Sequence, residues 1–298
     1  MKILVVGGSG FIGKALCSQL LKNGAQVSVL TRAIKEYPEW AISINFITEL
    51  RSDDNYYDVI INLAGESLNK KRWNEEVKKN IYESRIQTTQ KIINFIKKSK
   101  LKPKLFISGS AIGFYGNHEN KIFTEESIPA DNGFTHRLCE DWEKTAEQAL
   151  NYGVRVCLLR TGIVLGRDGG ALKEMIPAFN FGLGAKLGNG KQWMSWIHME
   201  DVVGAIIFLM NNDTLNGPFN LTAPGVTNNQ IFSSELAVAL HRPCFLTMPK
   251  LVVELLFGEM GTALLLNGQK VVPAKLLNSG YQFKFPNVSA ALENILQH

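Results

Sequence analysis

The chain opens on a short apolar run, Lys2-Ile3-Leu4-Val5-Val6, that stops at glycine, and the pattern then changes its period. From Phe11 to Lys22 apolar residues recur at helical spacing, at Ile12, Ala15, Leu16 and Leu20, so strand, tight turn and amphipathic helix are predicted in direct succession. Asn23-Gly24 supplies a stop, and Val27-Ser28-Val29-Leu30 reads as a second strand. The alternation continues with a strand over Ser43 to Ile47, a buried strand over Asp58 to Gly65 and a long helix from Trp73 to Lys98. Pro103 breaks the chain before a strand over Lys104 to Ser108. A helix over Thr135 to Leu150, with Leu138, Trp142 and Ala146 in one row, leads to a strand over Val154 to Leu159. Strands alternating this regularly with helices predict an α/β fold built on a doubly wound parallel sheet.

Beyond Arg160 the character changes. Gly182, Gly184, Gly188 and Gly190 crowd a loop that ends in Gln192-Trp193-Met194-Ser195-Trp196-Ile197-His198. Loops of this kind, set after the main sheet, are where substrate contacts are built. The last segment, from Pro249 to His298, alternates apolar helix with turns and ends in an amphipathic helix from Val288 to Leu296.

The turn after the first strand carries the most specific chemistry. Its glycines run Gly7-x-x-Gly10-x-x-Gly13. The first lets the chain leave the strand sharply, the second lets backbone approach a pyrophosphate, and the third lets the helix pack on the sheet. Phosphates then meet free N–H groups at a helix N-terminus, so Gly7, Ser9, Gly10, Phe11, Ile12 and Gly13 are candidate dinucleotide-binding residues. Together with the alternating pattern, this predicts a Rossmann fold.

Past the second strand an Asp or Glu would hold the ribose 2′-hydroxyl of NAD, but the chain gives Thr31-Arg32, with no acid until Glu36. A guanidinium fork suits a 2′-phosphate, so NADP(H) is the expected cofactor. At the end of the Asp58 strand, the small residues of Asn62-Leu63-Ala64-Gly65 let a ribose lie against the backbone.

The expected organisation is an NADP-binding Rossmann domain over residues 1–165, to which 199–222 returns. A smaller α/β substrate lobe over 166–248 and a C-terminal extension over 249–298 follow.

Composition narrows the partners. With 298 residues, 45% hydrophobic and 20% charged, the chain can bury a sizeable core. The net charge of +5 is dispersed, and the basic runs Lys70-Lys71-Arg72 and Lys97-Lys98-Ser99-Lys100 adjoin helical patterns. No nucleic-acid partner is expected. The cysteines Cys17, Cys139, Cys157 and Cys244 show no C-x-x-C spacing, which argues against a zinc site and a disulfide framework and suits a reducing, cytoplasmic setting; no metal is expected. Leu251 to Leu266 is interrupted by Glu254 and Glu259, so no membrane span is expected. An oligomer is compatible with this composition.

With these motifs on the page, the chain resembles the extended short-chain dehydrogenase/reductases, the family of NAD(P)-dependent nucleotide-sugar epimerases and dehydratases. The resemblance is carried by the glycine turn, Asn62-Leu63-Ala64-Gly65, the Ser108-Gly109-Ser110 strand end before Tyr115-Gly116, Thr124-Glu125-Glu126-Ser127 and Trp196-Ile197-His198-x-x-Asp201-Val202. More narrowly, it is similar to an atypical epimerase-like subgroup with a C-terminal extension of unknown function. Its marks are Glu66 after the Asn-Leu-Ala-Gly run, Trp73, Arg85, the strand end Arg160-Thr161-Gly162, and Gly169-Gly170-Ala171. The tail adds Gly268-Gln269-Lys270 and Gly280-Tyr281. The resemblance implies cofactor contacts at Glu66 and Arg160 and a substrate-binding serine at Ser110.

It also implies a tyrosine followed at +4 by lysine, and here the chain departs. Tyr37, Tyr56, Tyr57, Tyr82, Tyr115, Tyr152 and Tyr281 are followed there by Ala, Ile, Ile, Ile, Glu, Val and Phe. By position the pair falls near Phe134 and Leu138, flanked by His136, Arg137, Cys139, Glu140 and Asp141. A free phenol with pKa ~10 is about one part in a thousand ionised at neutral pH, which makes a lone tyrosine a poor base. Ser110 and Tyr115 are then the candidate catalytic residues. His198 and Asp201 read either as a proton-relay pair or as a helix start. The function expected is an NADP(H)-dependent oxidoreductase or epimerase-like enzyme on a carbonyl or sugar-like small molecule. The alternative is an NADPH-binding sensor or interaction protein of weak or no catalysis.

Overall fold

In the computed structural model Lys2–Val6 forms β1 and Phe11–Lys22 forms α1, with Gly7 to Gly10 as the turn between them. The structure describes residues 1–32, 41–51, 56–69 and 71–297; Glu36, Tyr37 and Lys70 lie outside the described residues. Gln26–Leu30 is β2, Asn45–Ile47 is β3 and Val59–Asn62 is β4. Helix α2 spans Glu75–Lys98 and starts two residues later than Trp73, because the Asn74 side chain accepts the Val77 amide at 2.8 Å and caps it. Leu105–Ala111 (β5), His118–Phe123 (β6), Phe134–Glu147 (α3) and Arg155–Thr161 (β7) follow.

Next come Ile163–Leu165 (β8), Gly170–Asn180 (α4), Ala185–Leu187 (β9), Trp193–Met194 (β10), Trp196–His198 (β11) and Met199–Met210 (α5). Gly217–Leu221 (β12), Thr227–Asn228 (β13), Asn229–Ala239 (α6) and Leu246–Met248 (β14) lead into the tail. The tail holds Lys250–Gly261 (α7), Gln269–Val271 (β15), Ala274–Asn278 (α8) and Val288–Gln297 (α9).

The main sheet has seven strands in the order β12-β7-β5-β4-β1-β2-β3, and every pairing in it is parallel. The pleat explains the continuous apolar run of β1. Ile3 and Val5 pack on one face with Leu16 and Leu20 of α1 and Ile206 of α5, while Leu4 and Val6 pack on the other with Ile92 and Ile96 of α2. This is a doubly wound Rossmann fold. The chain moves outward from β1 through β2 to β3, then crosses to β4 on the opposite side, so the carboxyl ends of β1 and β4 bracket the crevice where such sheets take ligands.

A second core, with Leu172, Phe179, Trp196, Phe232 and Leu236, gathers α4, β11 and α6 and is closed by Val288, Leu292 and Ile295 of α9. The tail is threaded through the molecule. Strand β15 pairs in parallel with β6, a pairing that the sequence pattern does not announce, because β6 is a polar surface strand. The Ser195 hydroxyl donates to Gln269 O at 2.7 Å and accepts the Val271 amide at 2.9 Å. The Asp201 carboxylate accepts the amides of Lys284 at 2.7 Å and Phe285 at 2.9 Å. No helix among the described residues is long and apolar enough to cross a membrane.

Candidate functional site

The glycine turn sits at the carboxyl end of β1, against the end of β4. Gly7 has φ +85°, and a Cβ there would come within 2.8 Å of the Leu63 carbonyl carbon and the Ala64 amide. A Cβ on Gly13 would lie 2.2 Å from Gly7 O, so turn and helix can approach this closely only through glycine. Gly10 differs: its Cβ would meet only Gly7 O, at 3.2 Å, and otherwise faces open space. Ser9 and Gly10 form the exposed tip. No side chain caps α1 and no acid stands in its first turn. An open glycine beside an uncapped, unopposed helix N-terminus fits a pyrophosphate.

Phe11 uses its ring for packing. Cβ atoms on Gly166, Gly169 and Gly170 would all meet it within 2.9 Å, so this loop of the second lobe lies flat on the cradle. Ile12 packs against the sheet core. Thr31 follows β2, its amide bonded to Ile47 O at 2.9 Å, and Arg32 is exposed beside it.

At the end of β4, Leu63 N bonds Val6 O at 2.8 Å, and the Asn62 side chain accepts the Ala64 amide while donating to Thr89 Oγ1 at 2.9 Å. Trp142 Nε1 donates to the same hydroxyl at 2.9 Å. The Arg85 guanidinium lies over the Trp142 ring, 5.3 Å from its centroid, and donates to Glu66 O at 3.0 Å. A Cβ on Gly65 would strike that guanidinium at 2.9 Å. Leu63, Ala64, Gly65 and Glu66 thus form a backbone shelf held from behind by Arg85, a role in which the helix mark Arg85 takes its meaning.

Ser110 lies near the end of β5, beside Arg160 of β7 in register. Its hydroxyl donates to Glu143 Oε1 at 2.6 Å. Arg160 grips the same carboxylate with both forks, Nε to Oε1 at 2.9 Å and Nη2 to Oε2 at 2.8 Å. Arg160 also donates to Tyr115 OH at 3.0 Å and Glu125 O at 3.2 Å, and Tyr115 OH donates to Asn220 Oδ1 at 2.7 Å. Ser110, Glu143, Arg160 and Tyr115 are all buried. Burial alone would lower the Arg160 pKa, but hydrogen bonds to Glu143 and the carboxylate's charge hold it above its ordinary value.

Two of the expected site residues are buried and bonded within the protein. Tyr115 has no exposed surface, and burial pushes its phenol up to about 12 against the opposing pull of Arg160. It ties the turn after β5 to β12 through Asn220. Arg160 is 4% exposed with its guanidinium committed to Glu143, Tyr115 and Glu125, which leaves no face for a cofactor. Glu143, the acid that organises this cluster, is absent from the residues singled out in the sequence. The available signal was Arg160 itself, a charge in β7 directly after the apolar run Val156 to Leu159 that requires a buried partner.

The expected tyrosine–lysine position is also resolved. Leu138 belongs to an apolar cluster with Trp73, Ile81 and Met260, and Phe134 meets Trp73 edge-on at 5.3 Å between centroids. One residue further on, Cys139 is the side chain of α3 beside Ser110, and burial followed by the charge of Glu143 pushes its thiol up to about 12. A neutral thiol there supplies no base. His136 Nδ1 donates to Phe114 O at 2.6 Å, and Asp141 accepts Tyr82 OH at 2.9 Å. His198 caps α5 by accepting the Glu200 amide on Nδ1, while Asp201 is spent on the tail, so the two form no relay. Among the described residues no group of three or more His, Cys, Asp or Glu could hold a metal ion.

The comparisons with known proteins agree with this geometry. Residues 3–222 match the model of the NAD dependent epimerase/dehydratase family, and residues 248–295 match a domain of unknown function, DUF1731. An epimerase family protein of Staphylococcus aureus (strain MRSA252) is 38% identical over 302 aligned positions, covering 98% of each chain. The crystal structure of the human epimerase family protein SDR39U1 (isoform 2) with NADPH superposes with a TM-score of 0.91 at 34% identity over the whole of both chains. A nucleoside-diphosphate sugar epimerase from Corynebacterium glutamicum gives 0.79 at 29% identity, covering 99% of this chain and 58% of that one. The match over residues 3–222, with relatives 38% identical along almost the whole chain, makes this chain a member of the NAD dependent epimerase/dehydratase family.

Proposed function

We propose that the protein binds NADP(H) and acts as a slow oxidoreductase or epimerase-like enzyme on a hydroxylated, sugar-like small molecule. The observation that carries this reading is the intact, open cradle at Gly7 to Gly13, set beside a strand end whose Ser110 is held in one orientation. Arg32 at the end of β2 supports the 2′-phosphate form, as does the NADPH bound to the human relative. Residues 1–165 with 199–222 would carry the cofactor, and 166–248 with the extension 249–298 would shape the substrate side.

When bound, NADP(H) supplies hydride transfer. The pyrophosphate would lie on the uncapped start of α1, and the shelf of Leu63 to Glu66 would support a ribose. Ser110 has a narrower task than in the wider family. Its hydrogen is committed to Glu143, so it offers a substrate only lone pairs. That selects a hydroxyl, which can donate, over a carbonyl oxygen, which cannot. With neither phenolate nor ammonium beside Ser110, the proton leaves without a tuned base, and turnover is expected about 10²–10⁴-fold below that of triad-bearing relatives.

A second reading is favoured by the apolar filling at Phe134 and Leu138: an NADPH-binding protein without catalysis. One set of measurements separates them. NADPH titrated against tryptophan fluorescence should show saturable binding that Arg32→Ala weakens about 10- to 100-fold while NADH is unaffected. Sugar alcohols and nucleotide sugars are then screened for NADP⁺ reduction. Turnover that is lost in Ser110→Ala and kept in Tyr115→Phe supports the enzyme. No turnover in any class, with NADPH binding intact, leaves the binding protein.

A further inference from the structure

Three arginines among the described residues are wholly or partly withdrawn from solvent: Arg85, Arg155 and Arg160. Arg160 is paired with Glu143 at 2.8 Å and Arg155 with Asp213 at 3.5 Å, whereas Arg85 has no carboxylate within 4.0 Å among the described residues. The difference shows in their acidity. Glu143 holds Arg160 above its ordinary pKa, while burial pulls Arg85 below its own, against weaker opposing effects of Cys139 and Glu66. A charge drawn out of water without a counter-charge costs stability, so Arg85 is a cation that an anionic ligand would compensate.

Its donors suit such a ligand. Arg85 Nη1 donates to Ile81 O at 3.0 Å and to Ser84 Oγ at 3.4 Å, and Nη2 donates to Glu66 O at 3.0 Å. A guanidinium has five N–H groups, so Nε–H and one N–H of Nη2 find no acceptor among the described residues. A Cβ on Gly65 would lie 2.9 Å from Cζ and 3.1 Å from both Nε and Nη2, which sets Gly65 over the flat face of the group and not against its edge. Nε and Nη2 are also the two atoms through which Arg160 takes both oxygens of Glu143.

The guanidinium stands where the ends of β4 and β5 meet. It lies over the Trp142 ring, and a Cβ on Gly109, the residue before Ser110, would come within 2.8 Å of that ring. Cys139, beside Ser110, senses the charge of Arg85. In the strand order β5-β4-β1-β2 this place lies across the glycine cradle from Arg32. The 2′-phosphate and pyrophosphate of the cofactor have their partners at the ends of β2 and β1, so an anion at Arg85 belongs to the other ligand. We propose that Arg85 binds a carboxylate or phosphate of the substrate, which makes the substrate a hydroxylated acid and not a neutral polyol. The proposal rests on the reading that a hydroxylated substrate sits beside Ser110, and it gives Arg85 a second task besides support of the shelf.

The test uses matched probes on the full chain saturated with NADP⁺: gluconate against gluconamide, and glucose 6-phosphate against glucose. Isothermal titration calorimetry gives the affinities, and NADPH absorbance follows turnover in parallel. At least one charged probe should bind more than about tenfold tighter than its neutral partner, and the pair that shows this preference tells carboxylate from phosphate. Arg85→Gln, which keeps polar donors but loses the charge, should cut the ratio at least about tenfold. Loss of shelf support alone would weaken both members of a pair alike, and a ratio unchanged in that variant overturns the proposal. Should Arg85→Gln fail to fold, Arg85→Lys keeps the charge without the fork; a ratio unchanged there overturns it too. A wild type without preference in either pair, or without binding of any probe, also overturns it. Turnover of a neutral probe in that case leaves the enzyme reading standing.

Discussion

The Glu143–Arg160 pair offers the sharpest test of the reasoning. Its side chains are 7 and 5% exposed, and two parallel N–H···O bonds of 2.9 and 2.8 Å join them. Ser110 adds a third donor to the carboxylate at 2.6 Å. Removing one partner of a buried pair leaves an uncompensated charge, which costs about 3–5 kcal/mol. Arg160→Met should fall at the upper end, because it also strips Tyr115 OH and Glu125 O of their donor. At ~2 °C of melting temperature per kcal/mol for a chain of this size, either single variant should melt about 6–10 °C lower.

The double variant Glu143→Met/Arg160→Met decides the matter. With both charges gone and the volume kept apolar, it should be more stable than either single variant, a coupling of about 3 kcal/mol. Thermal unfolding by circular dichroism, cross-checked in urea, gives all four corners of the cycle. Losses below about 1 kcal/mol in the singles, or a double equal to their sum, would refute the assignment of this pair as the buried fastening between α3 and the ends of β5 and β7.

Three further outcomes follow from the same geometry. Gly10→Ala should remain folded, because its Cβ meets only Gly7 O at 3.2 Å, yet weaken NADPH; Gly13→Ala, with a contact of 2.2 Å, should lower the melting temperature even without cofactor. Asp201→Asn removes an acceptor shared by two tail amides and should cost about 1–3 kcal/mol, read out as faster limited proteolysis between α7 and α9. His198 is held below its ordinary value by burial, so the unfolded chain binds its proton more readily than the native one. Stability should therefore fall as pH drops through ~6.5 toward the lowered native value. His198→Asn, which keeps a capping acceptor, should flatten that part of the profile.

The sheet and the cradle were legible because both are written locally. Ile3 to Val6 and Val59 to Ile61 are buried on both faces and so read as unbroken apolar strands, and a turn as tight as Gly7 to Gly13 admits few other residues. The floor of the site was hidden because its bonds are distant in sequence. Glu143 lies 33 residues from Ser110 and 17 from Arg160, and on α3 it follows Glu140 and Asp141, which makes it look like solvated surface. Besides Arg160, Cys139, four residues earlier on the same stripe, hints that this carboxylate turns inward. The strand pair β6–β15 was invisible for a related reason: His118, Ile122 and Phe123 gain their partners, Gln269 to Val271, from a segment about 150 residues away.

The C-terminal extension packs over the start of α3. Where an ammonium and a phenol would demand water or a polar ligand, Phe134 and Leu138 demand apolar cover, and Phe257, Met260 and Leu264 of the extension supply it. The remaining polar groups have been redirected to hold that cover in place. Asn220 accepts Tyr115 OH and donates to Val272 O at 3.0 Å, so the phenol fastens the tail. Glu125, from the Thr-Glu-Glu-Ser turn, accepts the amides of Asn220 and Lys275 at 3.0 and 3.2 Å and closes the same junction. The extension is therefore tied, through Asn220 and Glu125, to the buried cluster that holds Arg160.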